Sequence, residues 1–294
     1  SLHTAASSLD PSVVRLAFCF ALIGYGTKAG LAPMHTWLPD AHSEAPAPVS
    51  ALMSGVLLNV GLYALLRFKA VADISLGPAF SSRCLIGFGL LSLGVAAGFL
   101  LTQRNYKRML AYSSVEHMGV ICLGLGFGGY WGVLGALLHV VNHAVSKSLL
   151  FMLSGDILLK YQTTDILRVR GLLRSSPVVG GAFLAGTLAL IGLPPFGPFI
   201  SEFVIFRAGF SNGPRWAAVA GIGLLVVIFA GMLANVNRML YGEPPERIER
   251  REPVRWWLAP LAVNLGLLLI LGLTLPRPVI QALEQAIRVL GVLK

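Results

Sequence analysis

Five stretches of the chain contain no Asp, Glu, Lys or Arg: 45–66, 84–103, 175–201, 216–237 and 256–276. Each is long enough, as a helix, to cross about 30 Å of hydrocarbon. Three more are similarly apolar but carry charge within them, 12–35 with Lys28, 109–127 with Glu116 and 131–154 with Lys147. The runs are apolar on every face, whereas membrane strands would alternate in polarity and need a closed barrel. The pattern predicts an all-α polytopic membrane protein with about eight transmembrane helices. Two of these should be interrupted, one near Pro33 and one where Gly192, Pro194, Pro195, Gly197 and Pro198 fall mid-span. After Pro276 the pattern changes, with Val279, Ile280, Leu283, Ile287, Leu290 and Leu293 spaced among Gln281, Glu284, Gln285 and Arg288. This predicts a C-terminal amphipathic helix on a membrane or partner surface.

Composition excludes an ordinary soluble enzyme. Of 294 residues, 55% are hydrophobic and 12% charged, against about 25% charged in a soluble domain. The net charge of +10 suits anionic lipid at the cytoplasmic face of a bilayer better than nucleic acid, given the long apolar runs. Alternate loops divide the basic residues unequally. Arg104, Lys107, Arg108, Lys160, Arg168, Arg170, Arg174, Arg238, Arg247, Arg250, Arg251 and Arg255 share one side, which the positive-inside rule makes cytoplasmic, leaving both chain ends outside. Trp37, Trp131, Trp216, Trp256 and Trp257 fall at span ends, where indoles favour the headgroup layer. Cys19, Cys84 and Cys122 are scattered, with no CxxC or Cys/His cluster. No cofactor is expected on this chain, and redox groups should sit on partners. The chain opens on Ser1 without a signal segment and reads as part of a longer membrane protein.

Ionisable groups inside spans are the candidate chemistry. Lys28 lies in GYGTKAGLAPMHTWLPD. Pro33 has no amide hydrogen, so the Ala29 carbonyl four residues earlier should be left free beside it and attract water. Lys28 reads either as a proton carrier or as a lysine snorkelling to the interface. His139, His143 and Lys147 recur every fourth residue in LHVVNHAVSKSLL, which stacks them on one helical stripe. That stripe suits a proton relay, or a set of hydrogen-bonded structural histidines. No carboxylate or Cys shares that face, so no metal site is expected. Glu202, four residues beyond Pro198, reads as a proton site, an ion-pair partner for a buried lysine, or a structural acid. Glu116 and His117, in YSSVEHMG, would form the mouth of the relay or cap a wet vestibule. Arg104, Lys107 and Arg108 read as headgroup anchors. Gly124, Gly126 and Gly129 fit GxGxxG, but no βαβ unit surrounds them, and close helix packing explains them better.

Four ordered motifs, GTKAGLAPMHTWLPDAHSEAPAPVSALMSG, YKRMLAYSSVEHMG, HVVNHAVSKSLLFMLSG and GLPPFGPFISEF, resemble the antiporter-like membrane subunits of respiratory complex I, Mrp sodium/proton antiporters and group 4 membrane-bound hydrogenases. SSVEHMG and PDAHSEAP resemble the component F branch of hydrogenase-4 most. The family is built from two inverted five-helix repeats, each with a broken helix carrying a buried ionisable residue. The resemblance implies that 1–83 supplies the last two helices of the first repeat, 84–241 the whole second repeat, and 242–294 a charged loop, the final transmembrane helix and the amphipathic tail. It matches Lys28 to the broken-helix lysine, His139, His143 and Lys147 to the relay helix, and Glu202 to an acid some members carry in place of lysine. Asp40, Asn59, Glu116 and His117 are assigned to a vestibule or to support of the relay. Asn59 departs from the family, standing where one subunit type has a relay lysine, and the helix carrying the glutamate partner of Lys28 lies outside this chain.

The expected function is a proton-translocating subunit, with no active site of its own, of a hydrogenase-4-like or complex I-like oxidoreductase complex. Expected partners are other membrane and peripheral subunits, the lipid bilayer, and protons or Na⁺. The expected location is a prokaryotic inner membrane, crossed several times. The rival readings are an Mrp-type Na⁺/H⁺ antiporter subunit and a non-conducting scaffold.

Overall fold

A computed structural model describes residues 6, 8–250 and 255–290, without side chains at 255–257. The features noted at Arg251 and Leu293, and the side chains of Arg255, Trp256 and Trp257, lie outside the described residues. The regular elements are helices: α1 (Pro11–Ala29), α2 (Trp37–Glu44), α3 (Ala47–Leu52), α4 (Leu58–Leu76), α5 (Pro78–Thr102), α6 (Tyr106–Phe127), α7 (Gly129–Tyr161), α8 (Leu172–Ser175), α9 (Pro177–Leu190), α10 (Gly197–Ser211), α11 (Arg215–Leu240), α12 (Arg255–Leu273) and α13 (Arg277–Val289). A single π-helical turn, Met53–Leu57, joins α3 to α4.

Among the described residues, six helical segments are long and apolar enough to cross a membrane: Pro11–Glu44, Ala47–Leu76, α5, α6, α7 and α11. The bent pair α12 and α13, at 74° to each other, raises the count to seven. The remaining predicted span is the split pair α9 and α10, separated by residues 191–196, so each of the eight apolar stretches has a helical counterpart. Both predicted interruptions are present.

The first interruption has a different cause from the one expected. α1 closes at Gly30 in the left-handed conformation (φ 79°), with Gly30 N–H donating to Thr27 O (3.1 Å) and Leu31 N–H to Gly26 O (2.9 Å). Glycine accepts that backbone without steric cost, so the helix stops three residues ahead of Pro33. The Trp37 indole N–H then donates to Thr27 O at 2.8 Å. Trp37 thus secures the break, whereas Trp216 is exposed, and exposed Trp131 carries the Arg207 guanidinium 4.7 Å from its ring.

α6 is the axis of the bundle, buried throughout its apolar window between α5, α7 and α10. Small residues permit that closeness. A Cβ on Gly119 would lie 2.9 Å from Gly89 O on α5, and one on Gly132 of α7 would lie 2.5 Å from Gly124 O. Gly124 and Gly126 therefore serve packing, and Gly129 adopts φ 65° at the α6–α7 turn. Backbone stands against backbone, which cannot yield as a flexible side chain can. Gly119→Val is expected to destabilise the protein by about 1–3 kcal/mol, measured as a lower melting temperature of the purified protein in detergent. The amphipathic α13 folds back on the bundle, with Leu283 and Ile287 buried and Tyr130 Oη donating to Glu284 Oε1 at 3.4 Å.

Candidate functional site: a buried imidazole and carboxylate cluster

The break between α9 and α10 turns on Gly192 in the left-handed region (φ 71°). Its missing side chain leaves room for the Glu202 carboxylate, which packs directly over it. α10 then carries Ser201 and Glu202 toward α7, while α6 brings Glu116 and His117 to the same place. His117 Nδ1 and His139 Nε2 are 2.6 Å apart, so one donates and the other accepts. His139 Nδ1 lies 2.9 Å from Ser201 Oγ, to which Asn142 Nδ2 also donates at 3.1 Å. His117 Nε2 is 3.6 Å from Glu116 Oε2, and the His143 ring centre is 5.2 Å from that of His117. Glu116, His117, His139 and His143 are buried and Glu202 half-buried.

Lys147 lies at the α6 N-terminal end of this column, fully buried. Its Nζ donates to Leu110 O (2.8 Å) and Ser113 Oγ (2.5 Å), and among the described residues no carboxylate lies within ion-pair distance. A charge with only neutral partners is expensive at this depth. Among the described residues, both ring nitrogens of His143 and Nε2 of His117 are buried with no hydrogen-bond partner. Buried polar atoms are normally satisfied, so these positions have spare capacity to exchange a proton.

The structure brings together His139, His143, Lys147, Glu202, Glu116 and His117. Glu116 and His117, expected at a mouth or vestibule, sit inside the cluster, because α6 is surrounded on all sides. Lys28, Asp40 and Asn59 stand apart. Lys28 is exposed on α1. Asp40 is exposed and paired with Arg108 at 2.9 Å. Asn59 donates to Gly55 O at 2.7 Å, closing onto its own helix beside the π-helical turn.

Two further residues join the site unforeseen. Lys107, expected at the headgroups, is buried, and its Nζ donates to Ser43 O (2.9 Å) and Ala45 O (2.6 Å). It satisfies the free carbonyls at the end of α2, and of its neighbours Arg108 is paired with Asp40 while Arg104 is exposed. His42, from the PDAH turn of α2, is fully buried and stacks on Phe151 with ring centres 4.9 Å apart. Lys107 and Lys147 lie within electrostatic range of His42, and His42 within range of His143. α2 is too short for a periodic pattern to show which side its His faces, so PDAH is the only available signal.

This geometry can be set beside known proteins. Residues 3–228 match the family model described as NADH:quinone oxidoreductase/Mrp antiporter, transmembrane. The chain belongs to that family. Over 281 residues it is 40% identical to a hydrogenase-4 component F homolog of Methylacidiphilum infernorum, covering 96% of this chain and 58% of the relative. It is 36% identical over 251 residues to NADH-quinone oxidoreductase subunit N of Desulforudis audaxviator, covering 83% and 50%. Among solved structures, a chain of the membrane-bound sulfane sulfur reductase, an archaeal respiratory membrane complex, aligns with a TM-score of 0.87 at 27% identity, over 97% of this chain and 58% of that one. A chain of Thermus thermophilus respiratory complex I aligns with a TM-score of 0.85 at 26% identity, over 97% and 60%. This chain thus spans between 50% and 60% of the length of these relatives. The family supplies antiporter-like membrane subunits of complex I, Mrp and hydrogenase-type assemblies, and this chain is an integral, multi-span member.

Proposed function

We propose that the protein is a proton-translocating membrane subunit of a prokaryotic energy-converting oxidoreductase complex of hydrogenase-4 or complex I type, located in the cell membrane. One observation carries the reading: three helices and the α9–α10 break converge imidazoles and carboxylates on a single buried column. Protons pass between Lys147, His143, the His117–His139 pair and Glu202, with Glu116 biasing the imidazole it faces. The 2.6 Å contact between His117 and His139 is short enough for direct transfer. Loading states are set by charge, since each filled site makes its neighbour costlier to charge. Lys28 works at a second half-channel whose remaining residues lie outside this chain. Electron transfer and its cofactors belong to partner subunits. Each proton moved against 100 mV requires about 2.3 kcal/mol, which the redox reaction must supply. The 40% identity to a hydrogenase-4 component F homolog supports this reading over an Mrp-type exchanger.

The test is proton uptake by inside-out vesicles containing the assembled complex, with redox turnover measured in parallel and Na⁺ varied. His143→Leu is expected to cut protons taken up per electron by at least ~10-fold, the effect of about 1.4 kcal/mol on one step. Unchanged uptake would overturn the relay. Uptake that needs an imposed Na⁺ gradient rather than electron flow would favour the antiporter.

A further inference from the structure

We infer that His117, His139 and Glu202 form a binding site for a divalent cation of the Zn²⁺ class, and that its occupation blocks the proton column. One ring nitrogen of each histidine and one carboxylate oxygen of Glu202 lie within 4.8 Å of one another. The ring nitrogens that face each other are His117 Nδ1 and His139 Nε2. A cation between them needs the rings to separate by less than an ångström, with metal–nitrogen distances of about 2.0–2.1 Å.

The opposite edges of the two rings decide the matter. An imidazole that binds metal with one nitrogen almost always holds its other N–H against a carboxylate, carbonyl or hydroxyl. Here His117 Nε2 faces Glu116 Oε2 at 3.6 Å, and His139 Nδ1 faces Ser201 Oγ at 2.9 Å. The His139 ring is therefore already turned as a ligand would be, backed by Ser201, and the His117 ring turns its unpartnered Nε2 toward Glu116, whose carboxylate would accept that N–H once Nδ1 holds the metal. Two imidazoles and one carboxylate are the donors of three-ligand zinc sites with an open fourth position, and are too nitrogen-rich for Mg²⁺ or Ca²⁺. Binding takes the place of the proton that His117 and His139 share, because a coordinated nitrogen has no lone pair left to accept one. The expectation from sequence that no carboxylate accompanies the α7 histidines considers one helix face, and the ligands come from three helices.

Binding stands on this geometry alone, whereas the block rests on the proposed relay. The probe is Zn²⁺ itself, titrated into the purified assembled complex, with zinc-edge X-ray absorption giving the ligands and equilibrium dialysis the affinity. The wild-type spectrum is expected to show two imidazole nitrogens and one carboxylate oxygen around a zinc bound once per chain. His117→Gln, His139→Gln and Glu202→Gln should each lose this spectrum. Glu116→Gln and Ser201→Ala should weaken binding about 10–100-fold, and His35→Gln, at a buried histidine of the Met34–Thr36 turn whose ring lies beside Phe99 and Tyr112, should leave it unchanged. A wild-type spectrum without two imidazoles, or one that survives all three ligand substitutions, overturns the site while leaving the relay standing. Zinc bound as described with undiminished proton uptake in vesicles confirms the site and counts against the relay.

Discussion

Lys147→Met is expected to abolish proton uptake by the assembled complex, a fall of well over ~10-fold per electron transferred, without loss of folded protein. Lys147 is the ammonium on the histidine stripe of α7, and two of its three donors are used on Leu110 O and Ser113 Oγ. Met fills nearly the same volume without charge, which removes the desolvation cost of an ammonium held only by neutral partners. Ser113 Oγ keeps its own bond to Leu110 O at 2.9 Å, so the site is not left unsatisfied. A second variant separates charge from proton exchange. Lys147→Arg keeps the positive charge but cannot release a proton near neutral pH, so it too should stop uptake. Arg that pumped normally would show that Lys147 supplies only a fixed field. Met that pumped normally would remove it from the mechanism. Vesicle uptake against redox turnover reads both, and detergent melting temperatures verify folding.

The spans are legible in the sequence because a membrane leaves so few choices: charge-free runs of this length have to be helices, and each has a helical counterpart. The α7 stripe is legible for a similar reason, since residues four apart on a helix share a face whatever surrounds it. The rest depends on tertiary convergence. Nothing in YSSVEHMG says that α6 is enclosed on all sides, so the sequence points Glu116 and His117 to a vestibule rather than to the inside of the cluster. Lys107 resembles its neighbours Arg104 and Arg108 in composition, and only the fold shows that it turns inward to close α2. His42 sits on a helix of eight residues, too short for periodicity to assign a face. The first break falls earlier than Pro33 suggests: proline is the more familiar helix breaker, yet Gly30 can take a left-handed backbone sooner and does so.

Glu202→Gln is expected to reduce proton uptake as severely as Lys147→Met, and Gly192→Ala should match it from a distance of ten residues in sequence. The two positions form one unit. Gly192 adopts φ 71°, which costs an L-residue roughly 1–2 kcal/mol, and a Cβ there would land on the Glu202 carboxylate itself. Alanine must therefore push the acid away from His117 and His139 or straighten the break that positions it. Gln keeps the shape of Glu but accepts no proton, so it removes the chemistry and leaves the geometry. If Gly192 acts only by placing Glu202, the double variant should be no worse than Glu202→Gln alone, the non-additivity expected of groups serving a single step. Losses that simply add would mean that the bend at Gly192 has a separate task, such as a movement of α10 during turnover. Normal uptake in Glu202→Gln would disconnect the acid from the column, and with it the reason for breaking the helix there.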